Sequence, residues 1–263
     1  MSTYFKCFVL KCLTVQGHDG SCCGWSESIA EACVKSGTAK RLIYTGTVVS
    51  ASPLKDAATD HTLYHESINE SCWTSIDTDL PLANSYLLSY ARSKTAAEKE
   101  LLKYNESGEI EVVSLVAGLT GGDTILGSAA GSLKTLLSQI RRDEATYGSL
   151  RFIEEVAGKV PVVHVEDVCN AHIYCMENPS ISGRFLCANG YIKTTEISDF
   201  CAKHYPSIHI PRRMIEDTQR SIRWGSTKLQ DVGFQYQYDA DATLEQSIKC
   251  GVRLGEVALA SSH

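Results

Sequence analysis

Three short apolar runs recur along the chain, over residues 41–49 (RLIYTGTVV), 110–116 (IEVVSLV) and 160–165 (VPVVHV), separated by stretches with helical spacing. Runs of this length, rich in β-branched residues, suit strands covered on both faces, as in parallel sheets. Between them the period changes. Ile29 and Cys33, like Ala30 and Val34, stand four residues apart between a capping Ser26 and a terminating Gly37. Residues 89–104 turn Ala97, Leu101 and Leu102 to one side, and helices are also expected over 133–141, 167–176, 195–204 and 244–254. Asp167 reads as the cap of its helix. A further strand is expected over 184–187, and Trp224, Phe234, Tyr236 and Tyr238 alternate like a half-buried strand. Strand and helix taking turns define an α/β fold built on a doubly wound parallel sheet. Residues 50–89 form a long polar connection, a length that usually goes with function.

Composition narrows the partners. With a formal charge of −6 and basic residues no more clustered than Arg141-Arg142 and Arg212-Arg213, the chain offers no stripe to follow phosphates. Neither nucleic acid nor a membrane is an expected partner, and no stretch approaches the roughly 20 apolar residues of a span. Eleven cysteines without a signal-like leader point to reduced thiols and a cytoplasmic location. Cys7, Cys12, His18, Cys22 and Cys23 fit no zinc spacing, so no metal site is expected. The sequence is silent on oligomeric state.

The segment that carries chemistry is Tyr90-Ala91-Arg92-Ser93-Lys94. On a helix, positions i and i+4 share a face one turn apart. A phenol beside an ammonium suits carbonyl reduction. Hydride arriving at a ketone carbon leaves charge on oxygen, which a proton donor must neutralise. A phenol with a pKa of about 10 does this poorly unless a nearby cation favours its phenolate. The same spacing also occurs in solvated surface pairs, so context separates the two readings. A hydroxyl-bearing strand end, Tyr44-Thr45-Gly46-Thr47, precedes the pair, and Gly118, Gly121 and Gly122 close the strand after it.

The runs Lys40-Arg-Leu-Ile-Tyr-Thr-Gly-Thr47, Tyr90-Ala-Arg-Ser-Lys-Thr-Ala-Ala-Glu-Lys-Glu100 and Val163-His-Val-Glu-Asp-Val-Cys-Asn-Ala-His-Ile173 resemble the plant dihydroflavonol reductase group. That group includes anthocyanidin reductase and vestitone reductase, within the extended short-chain dehydrogenase/reductases. Glu70-Ser-Cys-Trp73, Ser182-Gly-Arg-Phe-Leu-Cys187 and the stretch from Ser226 to Phe234 are similar too, so the likeness covers about residues 28–251 in the family's order. It implies Tyr90 as proton donor, Lys94 as its pKa modulator and ribose ligand, and Thr47 in place of the family's serine. It further implies cofactor contacts at Thr45, Tyr90, Lys94, Ala117 and Leu119. The last two belong to a Val116-Ala117-Gly118-Leu119 stretch that replaces the family's proline-containing loop against the nicotinamide. NADP(H) is the cofactor so implied, with NAD left open, and the substrate is a small-molecule ketone, flavonoid-like or otherwise aromatic.

Members of the group open with a strand, a Gly-x-x-Gly-x-x-Gly turn and a helix that bind the pyrophosphate. No such triplet precedes Ser26; Gly17, Gly20 and Gly24 are differently spaced. The expectation is therefore a partial Rossmann-type sheet lacking its first strands, with a smaller α/β substrate-binding lobe. Residues 1–25 are expected to be irregular, and 26–117, joined by 155–178, to be the remainder of the NAD(P)-binding domain. Residues 118–154 and 179–263 then make the lobe. Two functions follow, a reductase or an N-terminally truncated, impaired remnant that acts at most by binding. His164 and His172 are expected to be structural, and Trp73 to anchor a loop rather than line a cleft.

Overall fold

The computed structural model describes residues 6–10, 21–55, 64–216, 218 and 221–258. In chain order these form β1 (Lys6–Leu10), α1 (Ser21–Ser36), β2 (Ala39–Thr47), β3 (Ser67–Ile68), α2 (Ser85–Ser107), β4 (Glu111–Ala117) and β5 (Leu119–Gly121). There follow α3 (Gly131–Leu136), α4 (Ser138–Arg141), α5 (Glu144–Ala157), β6 (Val160–His164), α6 (Val165–Glu177), β7 (Gly183–Cys187) and β8 (Gly190–Ile192). The chain closes with α7 (Thr194–His204), β9 (Arg223–Trp224), α8 (Lys228–Asp231) and α9 (Ala240–Arg253).

Strands β1, β2, β4 and β7 make one parallel sheet in that order. Side chains of a strand alternate between faces, and β2 shows what each face meets. Leu42 and Tyr44 pack with Ala30 and Cys33 of α1 and with Ala97 and Leu101 of α2. Ile43 packs with Ala171 and Cys175 of α6 on the other side. Covering both faces is what the apolar runs required, so the expected α/β doubly wound architecture is present.

A second sheet joins β5 parallel to β6 and β6 antiparallel to β8. Its core brings Leu133, Leu136, Leu150, Val160, Val162, Ile197 and Ile248 together from α3, α5, β6, α7 and α9. The chain passes from the first sheet to the second at Gly118, where a Cβ would stand 2.8 Å from the Pro161 carbonyl oxygen. Only glycine fits that crossing.

Several expectations need revision. Lys6–Leu10 is a strand, paired in parallel with β2, and α1 begins at Ser21, so the segment before Ser26 is not irregular throughout. Four apolar residues between Lys6 and Lys11 carry too weak a pattern to read alone. Ser26 lies buried inside α1 rather than capping it, while Gly37, at φ +61°, does end the helix. The domain boundary at 178 does not follow the sheets: β6 leaves the main sheet and β7 fills the free edge of β4. Helix α5 was not expected, because exposed Gly148 interrupts its pattern; Asp143 caps it, accepting from the amides of Ala145 and Thr146. Asp167 does not cap α6. His164 does, its Nδ1 accepting from the Glu166 amide at 3.2 Å, while buried Asp167 accepts from the amides of Gln237 and Tyr238 at 2.9 and 3.1 Å. Of the alternating aromatics only Trp224 lies in a strand.

Candidate active site

Helix α2 starts where the Asn84 side chain accepts from the Leu87 amide at 2.8 Å and stops at Gly108, whose φ of +71° no other residue type adopts as easily. It connects two parallel neighbours, β2 and β4, so it runs against the strands and its N-terminal end stands at their C-terminal edge. That edge is where open α/β sheets take ligands.

Lys94 is almost fully buried, 5% exposed, with Nζ 6.0 Å from the centroid of the Tyr90 ring and 5.6 Å from that of Tyr44. Two aromatic faces thus lie beside one ammonium, an arrangement that holds a cation in place where water is scarce. Tyr90 is half-buried, packed with Val49, Leu80 and Phe152. Thr47 is the last residue of β2 and stands opposite Ala117, the last of β4. It caps the turn 48–50, on which α2 packs, and its Oγ1 accepts from the Val49 amide at 3.4 Å. An accepting hydroxyl still has its proton to donate. Thr47, Ala117, Tyr90 and Lys94 are therefore brought to one corner of the sheet.

Thr45 and Leu119 are not. The Thr45 hydroxyl lies 2.8 Å from His172 Nε2 on α6, which covers the face away from α2. His172 Nδ1 is 2.7 Å from the Val168 carbonyl, so Nδ1 carries the ring proton and Nε2 accepts from Thr45. The Leu119 side chain is packed in the core of the second sheet. His164 is engaged as well, between Gln246 Oε1 at 3.1 Å and the Tyr238 ring at 3.8 Å. Both histidines are structural, as expected.

Sequence reasoning missed the polar hub beneath this corner. Glu98, fully buried, accepts from Ser50 Oγ at 2.5 Å, Ser114 Oγ at 2.7 Å and Arg184 Nε at 2.8 Å. Ser50 Oγ also reaches the Thr47 carbonyl at 2.8 Å, which ties the hub to the turn. The available signal was spacing: Tyr90, Lys94 and Glu98 follow one another at intervals of four. Trp73 carries the Arg184 guanidinium 3.6 Å from its ring centroid and Lys99 Nζ at 5.2 Å. It is a loop anchor, and it also borders a polar groove of about 820 Å³ that includes Ser52, His65, Asn69, Asp77 and Lys99.

A nicotinamide dinucleotide can be tested against these residues end by end. The ribose–nicotinamide end fits: a buried ammonium, a phenol and a strand-end hydroxyl share the corner. The pyrophosphate end finds no glycine cradle among the described residues. Gly121 and Gly122, at the end of β5, serve packing within the second sheet: a Cβ there would meet Ser247 Oγ at 2.6 Å and the His164 ring at 2.4 Å. Among the described residues no His, Cys, Asp and Glu group could hold a metal ion, and no helix is long and apolar enough to cross a membrane.

The chain is 29% identical over 223 residues to a putative anthocyanidin reductase of Ginkgo biloba, covering 84% of this chain and 64% of that protein. It is 29% identical over 228 residues to dihydroflavonol 4-reductase of Zea mays, covering 86% and 59%. It thus spans somewhat less than two thirds of the length of these relatives. The crystal structure of vestitone reductase from alfalfa is similar with a TM-score of 0.67 at 27% identity, over 88% of this chain and 71% of that one. A yeast methylglyoxal/isovaleraldehyde reductase complexed with NADPH shares the fold, with a TM-score of 0.67 at 14% identity over 95% and 77%. The family model that matches more than half of the chain, residues 23–185, describes where it belongs: this is a member of the NAD dependent epimerase/dehydratase family.

Proposed function

We propose that the chain reduces a flavonoid-like or other aromatic ketone with a nicotinamide cofactor, NADP(H) in preference to NAD. The observation that carries this reading is the buried Lys94 ammonium beside the rings of Tyr44 and Tyr90, on the helix whose N-terminal end stands at the C-terminal edge of the sheet. When bound, the cofactor supplies the hydride. Tyr90 gives its phenolic proton to the carbonyl oxygen, and the Lys94 charge favours the phenolate left behind. Thr47 holds the same oxygen with its hydroxyl. Lys94 would also hold the ribose of the bound cofactor, and the backbone at Ala117 would stand beside its nicotinamide. Residues after Gly118, with the connection 50–89, form the substrate side. A cytoplasmic setting belongs to this proposal, and the seven free cysteines among the described residues, six of them buried, support it.

Titration with NADPH, followed by nicotinamide fluorescence, tests the reading. Tyr90→Phe is expected to keep the affinity and lose about 100-fold or more in the rate of ketone reduction. A sequence without a Gly-x-x-Gly-x-x-Gly triplet favours a second reading, a binding protein without turnover. Absence of NADPH binding at millimolar concentration would select it.

A further inference from the structure

Tyr86 lies one helical turn before Tyr90, its ring nearly parallel to the Tyr90 ring, with centroids 6.5 Å apart and planes 20° apart. It is 57% exposed, although a tyrosine ring is a large apolar surface to leave in water. Because α2 runs against the strands, one turn towards its N-terminus leads outward from Tyr90, past the C-terminal edge of the sheet. The same rim displays Leu82, 60% exposed and held at φ +56°, a left-handed conformation that a residue with a Cβ adopts only at a cost. Neither side chain belongs to a buried cluster of the described residues; Tyr90, one turn below, does pack against one.

We propose that Tyr86 is a specificity-determining residue, the platform on which the aryl ring of the ketone stacks while its carbonyl reaches Tyr90. The inference rests on the reductase reading and narrows it to flat ketones conjugated with a ring. Aromatic rings attract one another in offset stacks beyond what buried area gives, and a saturated ketone of similar size forms no such stack. The Tyr90 ring lies one turn below, its centroid 6.5 Å from that of Tyr86, so a ligand resting on Tyr86 is a short distance from the Tyr90 side chain.

The test uses 4-chromanone as the flat aryl ketone and 1-decalone, which has as many heavy atoms, as the saturated one, with binding measured by ligand-observed NMR. The unmodified chain is expected to bind 4-chromanone the more tightly. Tyr86→Phe keeps that preference, because the ring face remains. Tyr86→Ala weakens 4-chromanone binding roughly three- to tenfold and leaves 1-decalone unchanged, a loss that matches the usual strength of an aromatic pair. Failure of the unmodified chain to bind 4-chromanone, an unchanged affinity in Tyr86→Ala, or an equal loss for both ketones would overturn the proposal. Turnover decides the underlying reading separately: selective binding without NADPH-dependent reduction keeps the platform and removes the reductase.

Discussion

Glu98 makes three charge-assisted or hydroxyl contacts in a place no water reaches, and Arg184 gives its remaining nitrogens to the carbonyls of Glu70, Cys72 and Ser50. A buried pair of this kind adds little net stability, but losing one partner leaves the other charge stranded, which costs about 3–5 kcal/mol. Glu98→Gln is expected to lower the unfolding free energy by that order in a urea titration. The double variant Glu98→Gln/Arg184→Met is expected to lose less than the sum of the two single variants; additive losses would show that the groups are not coupled. At this scale the sequence was readable only along one helix. The Tyr90–Lys94 face follows from spacing alone, whereas the partner of Glu98 lies 86 positions away and no local pattern indicates it. The partner of Thr45 was hidden for a related reason. The strand and position of Thr45 were read correctly, but its hydroxyl is bonded to a histidine on the opposite side of the sheet.

Elements announced themselves where the period was strong. β2, β4 and α6 lie within a few residues of their expected bounds, because their apolar runs are buried on both faces or along one stripe. The expected helix over 133–141 is broken at Leu137 into α3 and α4, and α4 ends on Arg142 in the left-handed region, at φ +56°. Arg142 is exposed, and its amide makes the capping bonds, to the carbonyls of Gln139 and Ser138. A side chain costs about 1–2 kcal/mol in that conformation, and glycine gives back about 0.5–1 kcal/mol in unfolded-state entropy. Arg142→Gly is therefore expected to gain up to about 1 kcal/mol, a rise of roughly 2–4 °C in Tm for a chain of this size. Arg142→Ala, which keeps the Cβ, is expected to leave Tm unchanged. A fall in Tm for the glycine variant would show that the guanidinium contributes more than the backbone strain removes.

For the whole molecule, the question is how the two sheets are held as one, and this was the least legible level. Which sheet a strand joins depends on the edge it meets, so β6 and β7, each five residues long and largely buried, part company on either side of α6. Asp167 on α6 supplies one of the ties. Fully buried, it accepts the amides of Gln237 and Tyr238, and Tyr238 then stacks on His164 while its carbonyl accepts from Asn189 Nδ2 at 2.7 Å. The next residue, Asp239, caps α9, accepting from the Ala242 amide at 2.8 Å. From α9, Ser247 Oγ accepts the Gly122 amide at 2.8 Å, just beyond β5. A chain of contacts therefore leads from the helix behind the main sheet to the segment that leaves the candidate site. Asp167→Ala leaves two part-buried amides without their acceptor, at about 1 kcal/mol each, the low end of the cost for an unpaired donor. Hydrogen exchange is expected to accelerate first over 234–240 and α9, with the amides of β2 and β4 keeping their protection. Asp167→Asn, which retains one acceptor oxygen, is expected to fall between. If exchange instead rises evenly over both sheets, the carboxylate supports the global fold and does not act as a local tether between its parts.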